Sequence, residues 1–267
     1  MTLNVKNSFL LGYIFVMFIF WAGMYASELK FAEVNKYWGI GINFIPLFGG
    51  VFGWFTAREW GGFKSAVGKG ISLLSIGLIS WSLGNWIWSY YNFFLNSEVP
   101  YPSLADAGYL LAVPFWMAGV FYMSKATGAK YALKKRLGQL FFIVLPIISF
   151  ALSYYLLITV ARGGVVLTEG EGLIKLFFDL GYPLGDALIV TIALLIYGLS
   201  FRYLGGVFKW PVVITLSGFV VMFFADFAFS YETTLGTYYD GNPVNLLFIS
   251  ALFLMSFGIN SFDNKLK

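Results

Sequence analysis

Eight stretches of this chain run almost free of charge: residues 9–26, 38–56, 70–91, 105–124, 137–160, 183–201, 210–231 and 243–259. Within them the apolar positions are continuous and lack the alternation of a barrel strand. Runs of about 17 to 24 residues, rising about 1.5 Å each, are long enough to cross roughly 30 Å of hydrocarbon. Backbone surrounded by lipid must satisfy its own hydrogen bonds, and a helix does so within a single segment. The pattern predicts eight transmembrane helices joined by short polar loops.

Composition strengthens this reading. Hydrophobic residues make up 59% of the 267 residues and charged residues 11%, with a mean hydropathy of +0.78; a soluble chain carries about a quarter charged residues. The expected class is an all-α polytopic membrane protein. The first run is too long for a removable signal peptide and lacks its small-residue cleavage site, so it reads as a retained span. Cysteine and histidine are both absent. That excludes disulfides, thiolate nucleophiles and cysteine-held metals, and removes the commonest general base, metal ligand and pH switch. No cofactor and no catalysis are expected.

Charge orients the eight spans. Thirteen of the 17 basic residues, from Lys6 and Arg58 to Lys265 and Lys267, fall on the side of the N-terminus, and Lys30, Lys36, Arg162 and Lys175 on the other. Positive loops stay inside, so both termini are expected in the cytoplasm and the protein in the plasma membrane. The net charge of +4 then faces the anionic headgroups of the bilayer and implies no nucleic acid. The most basic segment, Lys130, Lys134, Lys135 and Arg136, reads as a topology anchor or as the docking point of a cytoplasmic or membrane partner.

An internal repeat organises the chain. Asn85-Trp86-Ile87-Trp88-Ser89-Tyr90 recurs 141 residues later as Asp226-Phe227-Ala228-Phe229-Ser230-Tyr231, and Pro102 recurs as Pro243 at the same displacement. The chain is read as two tandem four-helix halves, 1–130 and 131–267, within one membrane domain. Four is an even number of spans, so the halves are parallel repeats about an axis along the membrane normal, with a ligand site expected where they meet.

Few polar residues interrupt the apolar runs. Asn85 and Asp226 fall in the outer third of their helices, while Asp106, Asp186 and Asn245 fall just after a helix enters from outside. All five converge on one depth. An ionisable group there is costly unless it faces protein or water, so a shared outward-opening cavity is expected. Part of the set has a structural reading: Ser103 to Asp106 has the spacing of a capping box, and Pro183 before Asp186 fits a helix start. Asp226 lies toward the C-terminal end of its run, where the helix dipole disfavours an anion. Aromatic residues at the same depth form either an interfacial belt or the wall of a pocket for a small apolar or cationic ligand. The candidate binding residues are Asn85, Tyr90, Asp106, Asp186, Asp226, Tyr231 and Asn245.

Three segments carry a resemblance: Pro100-Tyr101-Pro102-Ser103-Leu104-Ala105-Asp106 with Tyr109-Leu110, then Leu180-Gly181-Tyr182-Pro183-Leu184-Gly185-Asp186, then Ala225-Asp226 with Tyr231 and Thr234-Leu235-Gly236-Thr237-Tyr238. In these the chain resembles the N-terminal multi-span membrane module of bacterial GGDEF and EAL (cyclic-di-GMP) signalling proteins, over roughly residues 70–260. The resemblance implies a membrane sensory module with its ligand site at the outer leaflet. That family often has acids where this chain has Asn85 and Asn245. Residues 261–267 hold no cyclase, kinase or phosphodiesterase, so signalling is expected to pass through a separate partner or the protein's own assembly.

Competing readings are a small-solute transporter, a structural subunit and an intramembrane enzyme. A transporter is disfavoured because no helix broken near the midplane is predicted, the prolines at 46, 114 and 146 reading as kinks. Leu184-Gly185-Asp186 echoes the Gly-x-Gly-Asp motif of intramembrane aspartyl proteases, yet Pro183 occupies the first glycine position and no Tyr-Asp partner motif is present. A retinal pigment lacks its lysine in the last span.

Overall fold

The structure, a computed structural model, describes residues 3–28, 33–95, 97, 99–126, 131, 133–165, 173–200 and 206–262, with the backbone alone at 126, 176, 179, 180 and 200. Every regular element among them is helical. The main helices are α1 (Val5–Ala26), α2 (Val34–Ile42), α3 (Phe44–Glu59), α4 (Ala66–Ser89), α5 (Leu104–Ala126), α6 (Arg136–Tyr154), α7 (Leu173–Ser200), α8 (Lys209–Thr234) and α9 (Pro243–Asn260). They make eight segments long and apolar enough to cross a membrane, α2 and α3 together forming the second. This is the architecture of a multi-pass membrane protein.

Local chemistry sets the helix starts. Asn4 caps α1 by accepting from the amide of Asn7 at 2.8 Å, and Ser65 caps α4 by accepting from Gly68 at 2.9 Å. Asn242 caps α9 through Val244 at 2.7 Å, with Pro243 in the first turn, where its missing N–H costs nothing.

Two departures from the sequence reading bear on function. First, the second span is broken at Asn43. Pro46 supplies no N–H for a bond four residues back, which frees the carbonyl of Ile42, and the helix is interrupted for the single residue Asn43, whose backbone angles stay helical. Asn43 itself is buried and secures the break: its Nδ2 donates to Ser89 Oγ at 2.7 Å and to the Asn85 carbonyl at 3.3 Å, and its carbonyl accepts from Ser82 Oγ at 3.0 Å. Secondly, α7 begins at Leu173, so Pro183 and Asp186 stand in its interior. Asp186 is therefore no helix-start device. The sequence 173–182 is apolar enough to extend the helix ahead of the proline, which a membrane helix tolerates. Two further spans end in π-helical turns, Tyr90–Phe94 after α4 and Tyr155–Val160 after α6.

Helices in lipid gain little from apolar burial against each other, so small residues and buried hydrogen bonds govern their approach. α4 and α5 meet backbone to backbone at Gly84 and Gly108, where Ser80 Oγ also donates to the Gly108 carbonyl at 2.8 Å. α3 meets α9 at Gly49, which faces Ser256. One turn further, fully buried Asn260 donates to the Gly49 carbonyl at 3.0 Å and accepts from Thr56 Oγ1 at 3.0 Å. Beyond these pairs, α8 packs on α9, α7 on α5, and α1 on α9. The most populous of three core clusters among the described residues runs through Leu74, Leu78, Trp116, Leu216, Phe219, Met255 and Ile259, drawing on both sequence halves. The least buried spans, α1 and the α6 segment, expose rows such as Phe15, Val16 and Ile19, or Ile143, Ile147 and Ile148, as surface for lipid.

One end of the bundle carries several basic side chains. Lys6 at the start of α1 bridges to Glu59 at 3.1 Å, and Lys134, Lys135 and Arg136 are exposed before α6. Lys130 lies outside the described residues. All the site residues described next belong to the opposite end.

Candidate functional site

A cavity of about 720 Å³ opens at that opposite end, walled by every span except the first. Half-exposed Tyr101 and Val165 line its mouth. One stripe of α4 faces it, Trp81, Asn85, Trp88 and Ser89, continued by Asn92; a stripe of α8, Asp226, Phe229, Ser230 and Thr233, faces it from the other side. Spacings of three and four residues keep such positions on one helical face. Asn85, Trp88, Ser89 and Asn92 are each 141 residues before their counterparts on α8.

Of the seven candidates read from the sequence, Asn85, Asp106, Asp186, Asp226 and Asn245 line this cavity. Tyr90 and Tyr231 do not; both are substantially exposed on the outside of their helices.

The four carboxylates on the wall differ in their surroundings. Asp106 completes a capping box: its Oδ2 accepts from the Ser103 amide at 2.7 Å and Ser103 Oγ at 3.1 Å, while Ser103 Oγ accepts from the Ala105 amide at 3.2 Å. Its Oδ1 accepts from the Tyr182 hydroxyl of α7 at 2.7 Å, tying the fourth span to the sixth. Asp240, in the loop before α9, has Oδ2 accepting from Asn92 Nδ2 at 2.6 Å and Oδ1 accepting from the Tyr238 hydroxyl at 3.4 Å, with the Trp88 side chain a further donor. Burial pushes the Asp240 carboxyl above the ordinary aspartate range, although Trp88, Tyr238, Asn92 and the charge of Lys36 pull it back. Burial, then the charge of Asp240, raises the Tyr238 phenol in turn. The loop is also pinned by Trp21, whose Nε1 donates to the Gly241 carbonyl at 2.8 Å, and by Asn35, which donates to the Asp240 carbonyl.

Asp186 and Asp226 are different. Their carboxyls face each other within side-chain hydrogen-bonding reach, and no other described side chain partners either. Because α8 continues to Thr234, Asp226 lies two turns inside its helix, beyond the reach of the dipole argument. What distinguishes it is Asp186. Asn245 donates to the Tyr238 hydroxyl, and its Oδ1 is buried without a partner among the described residues.

The floor is aromatic. Trp81 lies 4.7 Å from Tyr109 and 6.2 Å from Phe248 between ring centroids, and stacks on Trp116 beneath at 5.3 Å. Comparison with models of known families, with curated proteins and with solved structures found no match to this chain. The site is therefore read from its own chemistry.

Sequence reasoning missed Asn43, Asn92 and Asp240 as site residues. Asn43 left a signal, an amide inside an apolar run three residues before a proline. Asn92 and Asp240 left none, since polar residues in a loop or at a helix end need no explanation. The Tyr182–Asp106 contact carries a direct expectation. Tyr182→Phe should lower stability by about 0.6–1.7 kcal/mol, the range for side-chain hydrogen bonds within membrane proteins, seen as a lower thermal midpoint in nanodiscs. In an Asp106→Asn background the same change should cost less; equal losses in both backgrounds would remove the bond from the account.

Proposed function

We propose that this chain is a sensor-like, ligand-binding module of the plasma membrane, with the cavity at its extracellular end and the basic loops in the cytoplasm. The observation that carries the reading is the cavity itself. Its volume lies within the range of small-molecule sites, roughly 300–1,000 Å³, and it combines an aromatic floor with a few converging polar groups.

Two tandem parallel repeats accommodate this arrangement. The lining stripes of α4 and α8 stand at equivalent positions 141 residues apart, as do Gly77 and Gly218 at their helix crossings. The neighbours repeat as well, the second span packing on the eighth and the sixth on the fourth. The excess of basic residues at the other end supports cytoplasmic termini. The resemblance to the membrane modules of cyclic-di-GMP signalling proteins is in keeping with the reading. A ligand held between the halves would shift their packing only if it prefers one arrangement, and the shift would reach a partner through the loop bearing Lys134, Lys135 and Arg136.

The chain contains no cysteine, so Lys134→Cys gives a unique point for a fluorophore on that loop. In nanodiscs, a metabolite that quenches the cavity tryptophans should also change the emission of the label. A broad metabolite panel that leaves both signals unmoved would sink the proposal. One observation leans toward transport instead: the second span is interrupted for one residue at Asn43, beside the cavity, and interrupted helices line the sites of many transporters. Uptake of a bound metabolite into proteoliposomes would promote that reading.

A further inference from the structure

We propose that the cavity takes an organic ammonium ion, its nitrogen seated between Asp186 and Asp226 and its apolar body over Trp81, Tyr109 and Phe248. This deepens the binding function proposed above and rests on it. The argument begins with the difference among the four wall carboxylates. Asp106 and Asp240 are supplied with donors by the protein, Ser103 and Tyr182 for the first, Asn92, Tyr238 and Trp88 for the second. Asp186 and Asp226 have only each other among the described residues. Lys36, Arg162 and Lys175 also line the cavity, yet no salt bridge joins any of them to this pair.

Two carboxyls set face to face inside a membrane helix bundle are held together by a shared proton or by a cation placed between them. The room around the pair decides for an organic cation. A bare metal ion requires a close cage of several oxygen ligands, and among the described residues no third acidic, histidine or cysteine side chain joins the pair. The cavity is many times larger than such an ion needs. An ammonium group offers N–H donors to both carboxylates, and the aromatic lining of Trp81, Tyr109 and Phe248 suits the carbons beside a positive charge. Asn245, with Oδ1 unpartnered on the same wall, supplies a further acceptor for an N–H or hydroxyl.

The test pairs cations with neutral molecules of the same shape: phenethylamine against phenethyl alcohol, and phenylbutylamine against phenylbutanol, titrated onto the full chain in nanodiscs. Tryptophan quenching and the thermal midpoint are the readouts. The amines are expected to bind on the order of tenfold more tightly than the alcohols, or better, the size of a charged hydrogen bond. Asp186→Asn and Asp226→Asn should each remove that preference. Equal binding of amine and alcohol to the wild-type protein overturns the proposal, and needs no variant to fold. In that outcome the binding function still stands, because the alcohols bind. An amine preference that survives in both variants overturns it too. So does stabilisation by sodium, potassium or calcium chloride that is lost in both variants while the amines do nothing, which would assign the pair to an inorganic ion. If no probe binds at millimolar concentration, the ammonium site is refuted. The binding function falls with it only if the metabolite panel is silent as well.

Discussion

Gly108→Leu is expected to leave little folded protein. A Cβ at position 108 would stand 2.7 Å from the Gly84 amide nitrogen, 2.8 Å from the Gly84 Cα and 2.9 Å from the Ser80 carbonyl oxygen. All three are backbone atoms of α4, so no side chain can swing aside to make room. Relief would require α4 and α5 to separate along the most extensive helix pairing in the molecule. Overpacking a tight site costs about 1–3 kcal/mol, and more where backbone has to move; the expectation here is about 3 kcal/mol or greater. The same spreading would carry Trp81 and Asn85 away from Tyr109, so the cavity floor would be lost with the fold. Gly181→Ala is the matched control. Its nearest neighbour is the Leu110 side chain at 3.5 Å, an ordinary contact, and it should be close to neutral. Monodisperse yield on size exclusion and the thermal midpoint read both variants. A Gly108→Leu protein with wild-type yield and midpoint would show that the crossing is not where it is drawn.

The second large effect is expected at the other end of the molecule. Asn260 is fully buried, and its side chain donates to the Gly49 carbonyl at 3.0 Å and the Ser256 carbonyl at 2.9 Å while accepting from Thr56 Oγ1 at 3.0 Å. Its own carbonyl accepts from Asn4 Nδ2 at 2.7 Å, which draws α1 into the same knot. Asn260→Leu keeps a similar volume and removes all the side-chain bonds. Each is worth about 0.6 kcal/mol on average within membrane proteins and up to about 1.7, so the expected loss is about 2–3 kcal/mol. Thr56→Val, which deletes one bond to the amide, should cost clearly less. Unfolding titrated with a denaturing detergent would rank the two. An Asn260→Leu protein as stable as wild type would relegate the knot to decoration.

The spans were legible because lipid allows the backbone so little choice: an uncharged run of the right length has to be a helix. Their interruptions were harder to read. Pro46 and Pro183 are the same residue type inside apolar runs, yet the helix breaks at Asn43 before one and passes through the other. The difference lies in Ser82 and Ser89 of a neighbouring helix, which meet the polar groups of Asn43 at the break. No local pattern announces that.

The polar half of the site was legible for a related reason, since five amides and acids at one depth of a membrane demand an explanation. The aromatic half was not. Tyr90 and Tyr231 belong to the repeated segment, but each is five residues beyond Asn85 or Asp226 and so turned about 140° from it around the helix. Equivalence between repeats marks matching positions, and does not by itself make them share a surface. Asp240 and Asn92 became visible only once the loop before α9 was seen pinned across the first half by Trp21, Asn35 and Asn92.

That pinned loop bears on how the protein is made. The side chains that hold it leave the ribosome early, whereas Asp240 and α9 arrive after seven spans have already been synthesised. Until then the recess has no closing wall, and Asp186 and Asp226 must enter the bilayer before their final surroundings exist. Assembly of the cavity is thus a late step of biosynthesis, and a nascent chain stalled before α9 would be inserted with one wall of that cavity missing.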